Sequence, residues 1–201
     1  MARKKVVGKG FVVGLLGESP NDTASVAALL GLRYGERVRF TVISPEITGS
    51  QLDNPKLQHI IRMNYRFKRP DLVVVTRDLD APETDREQQL KRGEFFRKIN
   101  LGLERKGVYL LNIHAMEALI IADIGVFNAR YQCDCVVHAD PMTIADPVAF
   151  LKSATPIGKP HYDEGHCADL LSRVTYDTVL ANCRYFNAFD KAFAALLPPL
   201  P

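Results

Sequence analysis

The sequence lacks the features that mark membrane and secreted proteins. Its longest apolar runs, such as Phe11 to Leu16 and Leu72 to Val75, have the length of a strand and are far too short to span a bilayer. The basic start, Met-Ala-Arg-Lys-Lys, precedes no apolar stretch with a small-residue cleavage site, so we predict no signal peptide. Only four cysteines occur, without regular spacing, which favours reduced thiols. We therefore expect a cytoplasmic protein with no membrane partner.

The sequence also lacks the common cofactor motifs. It contains no Walker, Rossmann or Gly-x-Ser-x-Gly fingerprint, so we expect no nucleotide hydrolysis for motor work by this chain. Atoms that bind zinc occur in Cys133, Cys135, His138, His166 and Cys167. The Cys-x-Cys spacing, however, is too short for a zinc knuckle. We predict instead that Cys133 and Cys135 flank a strand as small apolar residues.

The composition is that of an ordinary folded protein with a slight excess of positive charge. Of the 201 residues, 47% are hydrophobic and 24% are charged, and the net charge is +3. This length fits one domain, so we predict a flexible basic arm over 1–10 and a single α/β domain over 11–201. Clusters of basic residues form either solvated helix faces or surfaces for nucleic acid. Three such clusters occur: Arg3 to Lys5; Arg62, Arg66, Lys68 and Arg69; and Arg86, Lys91, Arg92, Arg97 and Lys98.

Apolar runs and helical patterns alternate along the chain. We predict strands over 11–16, 38–44, 71–76 and 108–111. We predict helices from Pro20 to Gly31 and over 54–66, 83–105, 114–124, 146–153, 167–174 and 185–197. This alternation is typical of an α/β fold with a mostly parallel sheet covered by helices on both faces.

Acidic side chains follow two of the predicted strands. Glu18 comes two residues after strand 11–16, and Asp78-Leu79-Asp80 ends another strand. In open α/β sheets, ligands bind outside the carboxyl ends of the strands. Because alternate residues of an extended segment face the same side, we expect Asp78 and Asp80 to share one ion, with Leu79 in the core. Converging carboxylates repel unless a cation neutralises them, and their hard oxygens suit Mg²⁺ or Mn²⁺.

The same residues also allow simpler interpretations. An Asp-x-Asp pair occurs often in surface turns, and Glu18 with Asp22 can stabilise a helix N-terminus through the helix dipole. Arg77, beside the aspartate pair, either binds a phosphate or only relieves acidic repulsion. The combination of Gly-Glu after one apolar strand with Asp-x-Asp after another favours the metal site.

Three segments of the chain match motifs of a known family. Residues 17–22 read Gly-Glu-Ser-Pro-Asn-Asp before a helix, and residues 74–80 read Val-Val-Thr-Arg-Asp-Leu-Asp. Both resemble the Toprim domain of topoisomerases, primases and the overcoming-lysogenisation-defect nucleases. Residues 117–123, Glu-Ala-Leu-Ile-Ile-Ala-Asp, match a segment of small stand-alone Toprim-like proteins of prokaryotes, with Leu119 where that family has tryptophan. The chain is similar to this family over residues 11–195.

The resemblance implies a role for each acid. Glu18 would act as a general base or metal ligand, and Asp78 and Asp80 would bind the metal. Glu117 would be an additional ligand, for a second metal as in the defence nucleases, and Asp22 would be a further acid near the first ion.

The resemblance also implies a nucleic-acid substrate and a partner protein. Lys159 and Tyr162 lie near a tyrosine-and-lysine feature of the family, although Asp163 and Glu164 follow where a basic residue is expected. We predict that Lys159 contacts nucleic acid, and that Arg77 does so by binding a phosphate. The implied function is a Mg²⁺- or Mn²⁺-dependent nuclease in anti-phage defence, acting on DNA in preference to RNA. The absent Walker motif fits a separate ATPase partner, and a homo-oligomer is left open.

Two other functions are compatible with the sequence. One is a Toprim-fold subunit that docks onto an ATPase and performs no chemistry. The absence of the basic residue expected at Asp163 and Glu164 favours this function. The other is a metal-dependent phosphohydrolase that acts on small nucleotides.

Overall fold

The computed structural model describes residues 10–46, 51–52, 54–137, 140–158 and 160–199. The predicted basic arm, apart from Gly10, lies outside the described residues, as do Lys159 and His138. Over the described ranges, no helix combines the length and the apolar character that crossing a bilayer requires.

A four-stranded parallel sheet forms the centre of the fold, with the strand order β2-β1-β3-β4. The strands are β1 (Phe11–Leu16), β2 (Val38–Val42), β3 (Leu72–Asp78) and β4 (Gly107–Asn112). Gly14 in β1 is required by close packing, because a Cβ there would lie 2.7 Å from Cδ1 of Ile43. Since all strands are parallel, the loops that follow β1, β3 and β4 meet at one edge of the sheet, its carboxyl edge.

Helices cover both faces of this sheet, as predicted. They are α1 (Pro20–Tyr34), α2 (Pro55–Lys68), α3 (Arg86–Gly102), α4 (Ala118–Ala122), α5 (Ile124–Tyr131), α6 (Pro147–Ala154), α7 (Cys167–Leu171), α8 (Tyr176–Asn182) and α9 (Arg184–Ala194). On one face, Val13 and Val74 pack against α1 and the helices that follow β4. On the other face, Leu16 and Val75 pack against α2 and α3. The predicted α/β class is confirmed, and the arrangement is consistent with a Toprim-like or Rossmann-like domain.

Most predicted helix boundaries differ from the structure by a few residues, and two of these differences have a clear physical cause. Gly31 does not end α1, which continues to Tyr34, because a glycine costs a helix interior only about 1 kcal/mol and the buried Tyr34 ring holds the last turn. The predicted helix over 83–105 is shorter, because the Asp85 side chain caps its start by accepting a hydrogen bond of 3.0 Å from the backbone N–H of Gln88.

The single helix predicted over 114–124 is wrong. His114 has a left-handed backbone with φ of 58°, which no helix accommodates. The helical part then divides into α4 and α5, because Asp123 adopts φ −128° and ψ 64° between them. The apolar spacing correctly indicated helical residues in this region. It carries no information on the backbone turns at His114 and Asp123.

The strand predicted beside Cys133 and Cys135 is also wrong. Residues 132–137 form no strand or helix. Instead, Oδ1 of Asn128 accepts hydrogen bonds from the Cys133 thiol at 3.2 Å and from the Cys135 backbone N–H at 3.0 Å. All four cysteines are free thiols.

Candidate functional site

The loop after β1 is held close to β3 by a glycine. A Cβ on Gly17 would lie 3.0 Å from Cβ of Asp22 and 3.1 Å from Cγ2 of Thr76. Such distances are too short for a larger residue without a shift of its neighbours. The absence of a side chain at Gly17 therefore brings the start of α1 against the carboxyl end of β3.

Asp22 shapes this loop by capping α1. Its Oδ2 accepts hydrogen bonds of 2.9 Å from the backbone N–H groups of both Glu18 and Ser19, and its Oδ1 accepts the Ser19 hydroxyl at 2.8 Å. Ser19 completes a capping box by accepting from the Asp22 backbone N–H. Burial nevertheless raises the pKa of Asp22 above its ordinary value, against these hydrogen bonds, which lower it. Asp22 therefore has the structural role that one interpretation of the sequence gave it.

Glu18 forms an ion pair with Arg77. Arg77 is the penultimate residue of β3, and only 3% of its side chain is exposed, against 24% for Glu18. The guanidinium lies over the Phe95 ring, with its carbon 4.3 Å from the ring centroid. Burial raises the pKa of Glu18, while the nearby charges of Arg77 and Arg92 lower it. Glu18 thus combines partial exposure to solvent with a carboxyl group that holds its proton more tightly than usual.

Asp78 is the last residue of β3 and lies on the opposite face of the sheet from Arg77. Its Oδ1 accepts a hydrogen bond of 2.9 Å from Nδ2 of Asn112, its partner in the parallel register with β4. Burial raises the pKa of Asp78 well above its ordinary value, and the charges of Asp22, Glu117 and Glu18 add to that rise. The negative charges of three other acids therefore add to the effect of burial on Asp78.

Glu117 reaches the same group from the start of α4. It is buried, and its Oε1 accepts a hydrogen bond of 3.0 Å from the Tyr162 hydroxyl. Burial raises the pKa of Glu117, and the charges of Glu164 and Asp22 act in the same direction. A backbone hydrogen bond and the Tyr162 hydroxyl lower the pKa of Glu117 but do not offset the effect of burial.

The extended geometry expected for Asp78 and Asp80 is wrong. Asp80 has a left-handed backbone with φ of 57°, and its N–H bonds to the His114 carbonyl at 3.1 Å. Its side chain is exposed, and Oδ2 lies 2.5 Å from Nη2 of Arg92. Leu79 is fully buried, as predicted. The two aspartates therefore contact different partners, Asn112 and Arg92.

The predicted acids form two adjoining groups rather than one. Asp78 interacts electrostatically with Asp22, Glu117 and Glu18, whereas Asp80 adds to the charge around Glu18. In the described part of the chain, no three acidic, histidine or cysteine side chains are already arranged to hold an ion.

The chemistry of the donors beside Asp78 suits a hard cation. Asn112 Oδ1 is buried and accepts no hydrogen bond from the described residues. The Asn112 amide is thus a neutral oxygen donor next to Asp78 in the sheet. Oxygen donors of this kind fit Mg²⁺ or Mn²⁺, and a cation would relieve the repulsion that adds to the effect of burial on the Asp78 pKa.

Sequence reasoning placed Arg92 only in a basic cluster, without linking it to the acids, and it missed Asn112. Arg92 follows the spacing of Phe95 and Ile99, the buried residues of α3, so its position on an apolar stripe was a usable signal. Asn112 ends β4 as Asp78 ends β3, and a polar residue at a strand end was likewise visible in the sequence.

Comparison of the chain with protein-family models, with curated proteins and with solved structures gave no match. The Toprim resemblance therefore rests on its motifs, residues 17–22, 74–80 and 117–123.

Proposed function

We propose that the protein is a divalent-metal-dependent nuclease that hydrolyses phosphodiester bonds in nucleic acid. The observation that carries the proposal is that β1, β3 and β4 end at one edge of the sheet and that the acids beside these ends, Glu18, Asp22 and Glu117, act electrostatically on Asp78. Glu18 and Asp22 follow β1, Asp78 ends β3 and Glu117 follows β4, so segments far apart in the chain contribute to this group. Mutually repelling carboxylates reduce stability, and perturbed pKa values cluster at functional sites.

Asp78 and Glu117 would hold Mg²⁺ or Mn²⁺, with Asn112 Oδ1 and Asp22 beside them. The bound ion would supply neutralisation of charge on the scissile phosphate and a lower pKa for a coordinated water. Asp80 is also a predicted ligand. It would bind the ion only after its ion pair with Arg92 is broken. Of the predicted site residues Glu18, Asp22, Asp78, Asp80 and Glu117, Asp78 and Glu117 would thus be the primary metal ligands.

Glu18 would accept the proton of the attacking water. It is the most suitable base because it is partly exposed and has a raised pKa. Arg77 and Arg92 would donate to phosphate oxygens when a substrate competes with Glu18 and Asp80 for them, since guanidinium groups match phosphate geometry. Arg77 and Arg92 would supply positive charge in addition to that of Lys159, the other predicted nucleic-acid contact. The proposal includes the implied preference for DNA and a separate ATPase partner.

Cleavage assays with Asp78→Asn test the proposal. We expect purified protein to cleave plasmid, single-stranded DNA or RNA only with Mg²⁺ or Mn²⁺, and Asp78→Asn to lose at least about 100-fold in rate. Asp71→Asn is the matched control, because Asp71 precedes the same strand at its other end and its hydrogen bond from the Val12 N–H can be kept by an amide. Equal cleavage by wild type and Asp78→Asn would identify a contaminant and contradict the proposal.

A second candidate is a non-catalytic assembly subunit. It is favoured by the ion pairs of Glu18 with Arg77 and of Asp80 with Arg92, which already neutralise two of the acids. In that case the folded protein would bind no divalent ion and cleave no substrate. Including nucleoside triphosphates in the same assay separates the small-nucleotide phosphohydrolase from both.

A further inference from the structure

Helix α2 carries positive charge without any acidic residue. Its sequence, Pro-Lys-Leu-Gln-His-Ile-Ile-Arg-Met-Asn-Tyr-Arg-Phe-Lys, contains four basic residues and no aspartate or glutamate. Arg69 follows directly in a left-handed conformation that ends the helix. Most surface helices mix both signs, so a helix of one sign indicates an anionic partner.

The outer face of α2 also exposes two apolar side chains. Ile61 and Tyr65 point into the core and are 1% and 3% exposed. Phe67 and Met63, on the opposite side, are 87% and 57% exposed. An aromatic ring this exposed contributes little to folding, and Phe67 stands between Arg66 and Lys68 in the sequence of the helix.

A groove of about 500 Å³ lies beside the C-terminal end of α2. It is lined by Tyr65, Arg66, Arg69, Glu104 and Lys106, that is, by three cations and one carboxylate. The Arg66 side chain pairs with Glu104 only loosely, at 3.9 Å, and both side chains are more than half exposed. Such a pair contributes at most about 1 kcal/mol, so a phosphate can displace it.

We propose that this surface, formed by the outer face of α2 with Arg69 and Lys106, binds single-stranded nucleic acid. The cations contact phosphates, and Phe67 stacks on an unpaired base. A duplex keeps its bases stacked inside, so the exposed ring favours a single strand. Two apolar side chains are too few to insert into a bilayer.

Helix α2 connects β2 to the parallel strand β3, so it runs back from the carboxyl edge over about 21 Å. The groove at its C-terminal end therefore lies at the opposite edge of the sheet from the acids. A strand bound along α2 would extend from this groove towards the carboxyl edge. The inference rests on the proposed function for the fate of the bound strand, but binding itself requires neither a metal nor cleavage.

Fluorescence anisotropy with a labelled single-stranded DNA or RNA, in EDTA, tests this surface without cleavage. We expect the combined variant Arg66→Gln, Arg69→Gln and Lys106→Gln to bind more weakly and to reduce the log–log salt slope by about 2, since each phosphate contact on a single strand contributes about 0.7. The matched control, Arg173→Gln, Arg184→Gln and Lys191→Gln, removes the same charge from exposed positions on the other face of the sheet. It should leave affinity and slope unchanged.

Substitutions of Phe67 test stacking separately. Phe67→Ala should weaken single-strand binding by about 5- to 100-fold and leave duplex binding unchanged. Phe67→Tyr should retain affinity, whereas Phe67→Leu, which keeps apolar area without an aromatic face, should behave like alanine.

Three results would overturn the inference. The first is equal loss of affinity in the two triple variants, which would indicate bulk charge. The second is unchanged binding in Phe67→Ala together with loss of a dimer, which would make this face an interface between two copies. The third is no single-strand binding by the wild type at low salt. Binding without any cleavage would instead contradict the proposed function and leave this surface standing.

Discussion

Asp78 illustrates how a single residue can lower stability in favour of a site. Burial raises the pKa of Asp78 in the folded protein. At pH values above the ordinary pKa of 3.8, the folded state therefore binds more protons than the unfolded chain. Stability therefore falls as the pH rises from about that value through the folded pKa, so it is lower at neutral pH than in acid. The ionised carboxylate is a cost of folding in the absence of a cation.

We predict that Asp78→Asn raises the free energy of unfolding of the metal-free protein at pH 7. The amide can still accept the hydrogen bond from Asn112, and it removes the repelling charge. Urea denaturation in EDTA should show the gain at pH 7 and its disappearance near pH 3. Asp80→Asn is the contrasting variant, since it leaves the buried Arg92 without its carboxylate and should cost about 1–3 kcal/mol. A loss of stability in Asp78→Asn would show that the carboxylate is structural.

Glu18→Gln should leave the fold intact and reduce cleavage by at least about 100-fold, because an amide cannot accept a proton at neutral pH. The Gln oxygen can still accept from Arg77. Wild-type activity should rise with pH through a pKa above the ordinary glutamate value, since activity requires the ionised form and burial raises that pKa. The variant should lack this limb of the pH profile. Full activity in Glu18→Gln would exclude Glu18 as the base.

At the scale of elements, three helices are joined by one buried carboxylate. Asp190 of α9 accepts hydrogen bonds from the hydroxyls of Tyr34 at 2.7 Å and Tyr176 at 2.5 Å, and Arg33 adds a longer ion pair of 3.4 Å. The tyrosines belong to α1 and α8, so this cluster fixes the C-terminal helices against the first one. Burial and the Asp190 carboxylate raise the pKa of Tyr34 to about 12.

We predict that Asp190→Ala destabilises the protein by about 2–5 kcal/mol, because two buried hydroxyls lose their acceptor and each costs about 1–3 kcal/mol. Asp190→Asn keeps an acceptor oxygen and should cost less. Urea denaturation followed by far-ultraviolet circular dichroism measures both. Similar losses in the two variants would mean that the charge, rather than the hydrogen bonds, holds the helices.

The elements differ in how well their sequence predicted them. The run Leu72 to Val75 predicted β3, because a strand buried on both faces needs apolar residues throughout. The left-handed residues Asp80 and His114 gave no such signal, since no glycine marks them. Asp190 and Tyr34 lie 156 residues apart, and local periodicity carries no information on such pairs.

At the scale of the whole molecule, a bound ion should stabilise the fold. Asp78 and Glu117 come from different segments, so the unfolded chain cannot hold the ion in the same way. At a hundredfold excess over the dissociation constant, linkage gives about 2.7 kcal/mol, which corresponds to roughly 5–10 °C for a domain of this size.

Thermal unfolding with Mg²⁺ or Mn²⁺ measures this shift. We expect wild type and Asp71→Asn to gain several degrees and Asp78→Asn to gain none. An unchanged melting temperature of the wild type up to millimolar metal would argue against the site. A full shift in Asp78→Asn would place the ion elsewhere.

The order of the strands also determines when the acids become buried during synthesis. β1 can pair with β2 early, but its other side remains unpaired until β3 leaves the ribosome. The donor to Glu117, Tyr162, follows it by 45 residues. Tyr162 can therefore bury Glu117 only after most of the chain has been synthesised, so the costly desolvation of this carboxylate comes late in folding.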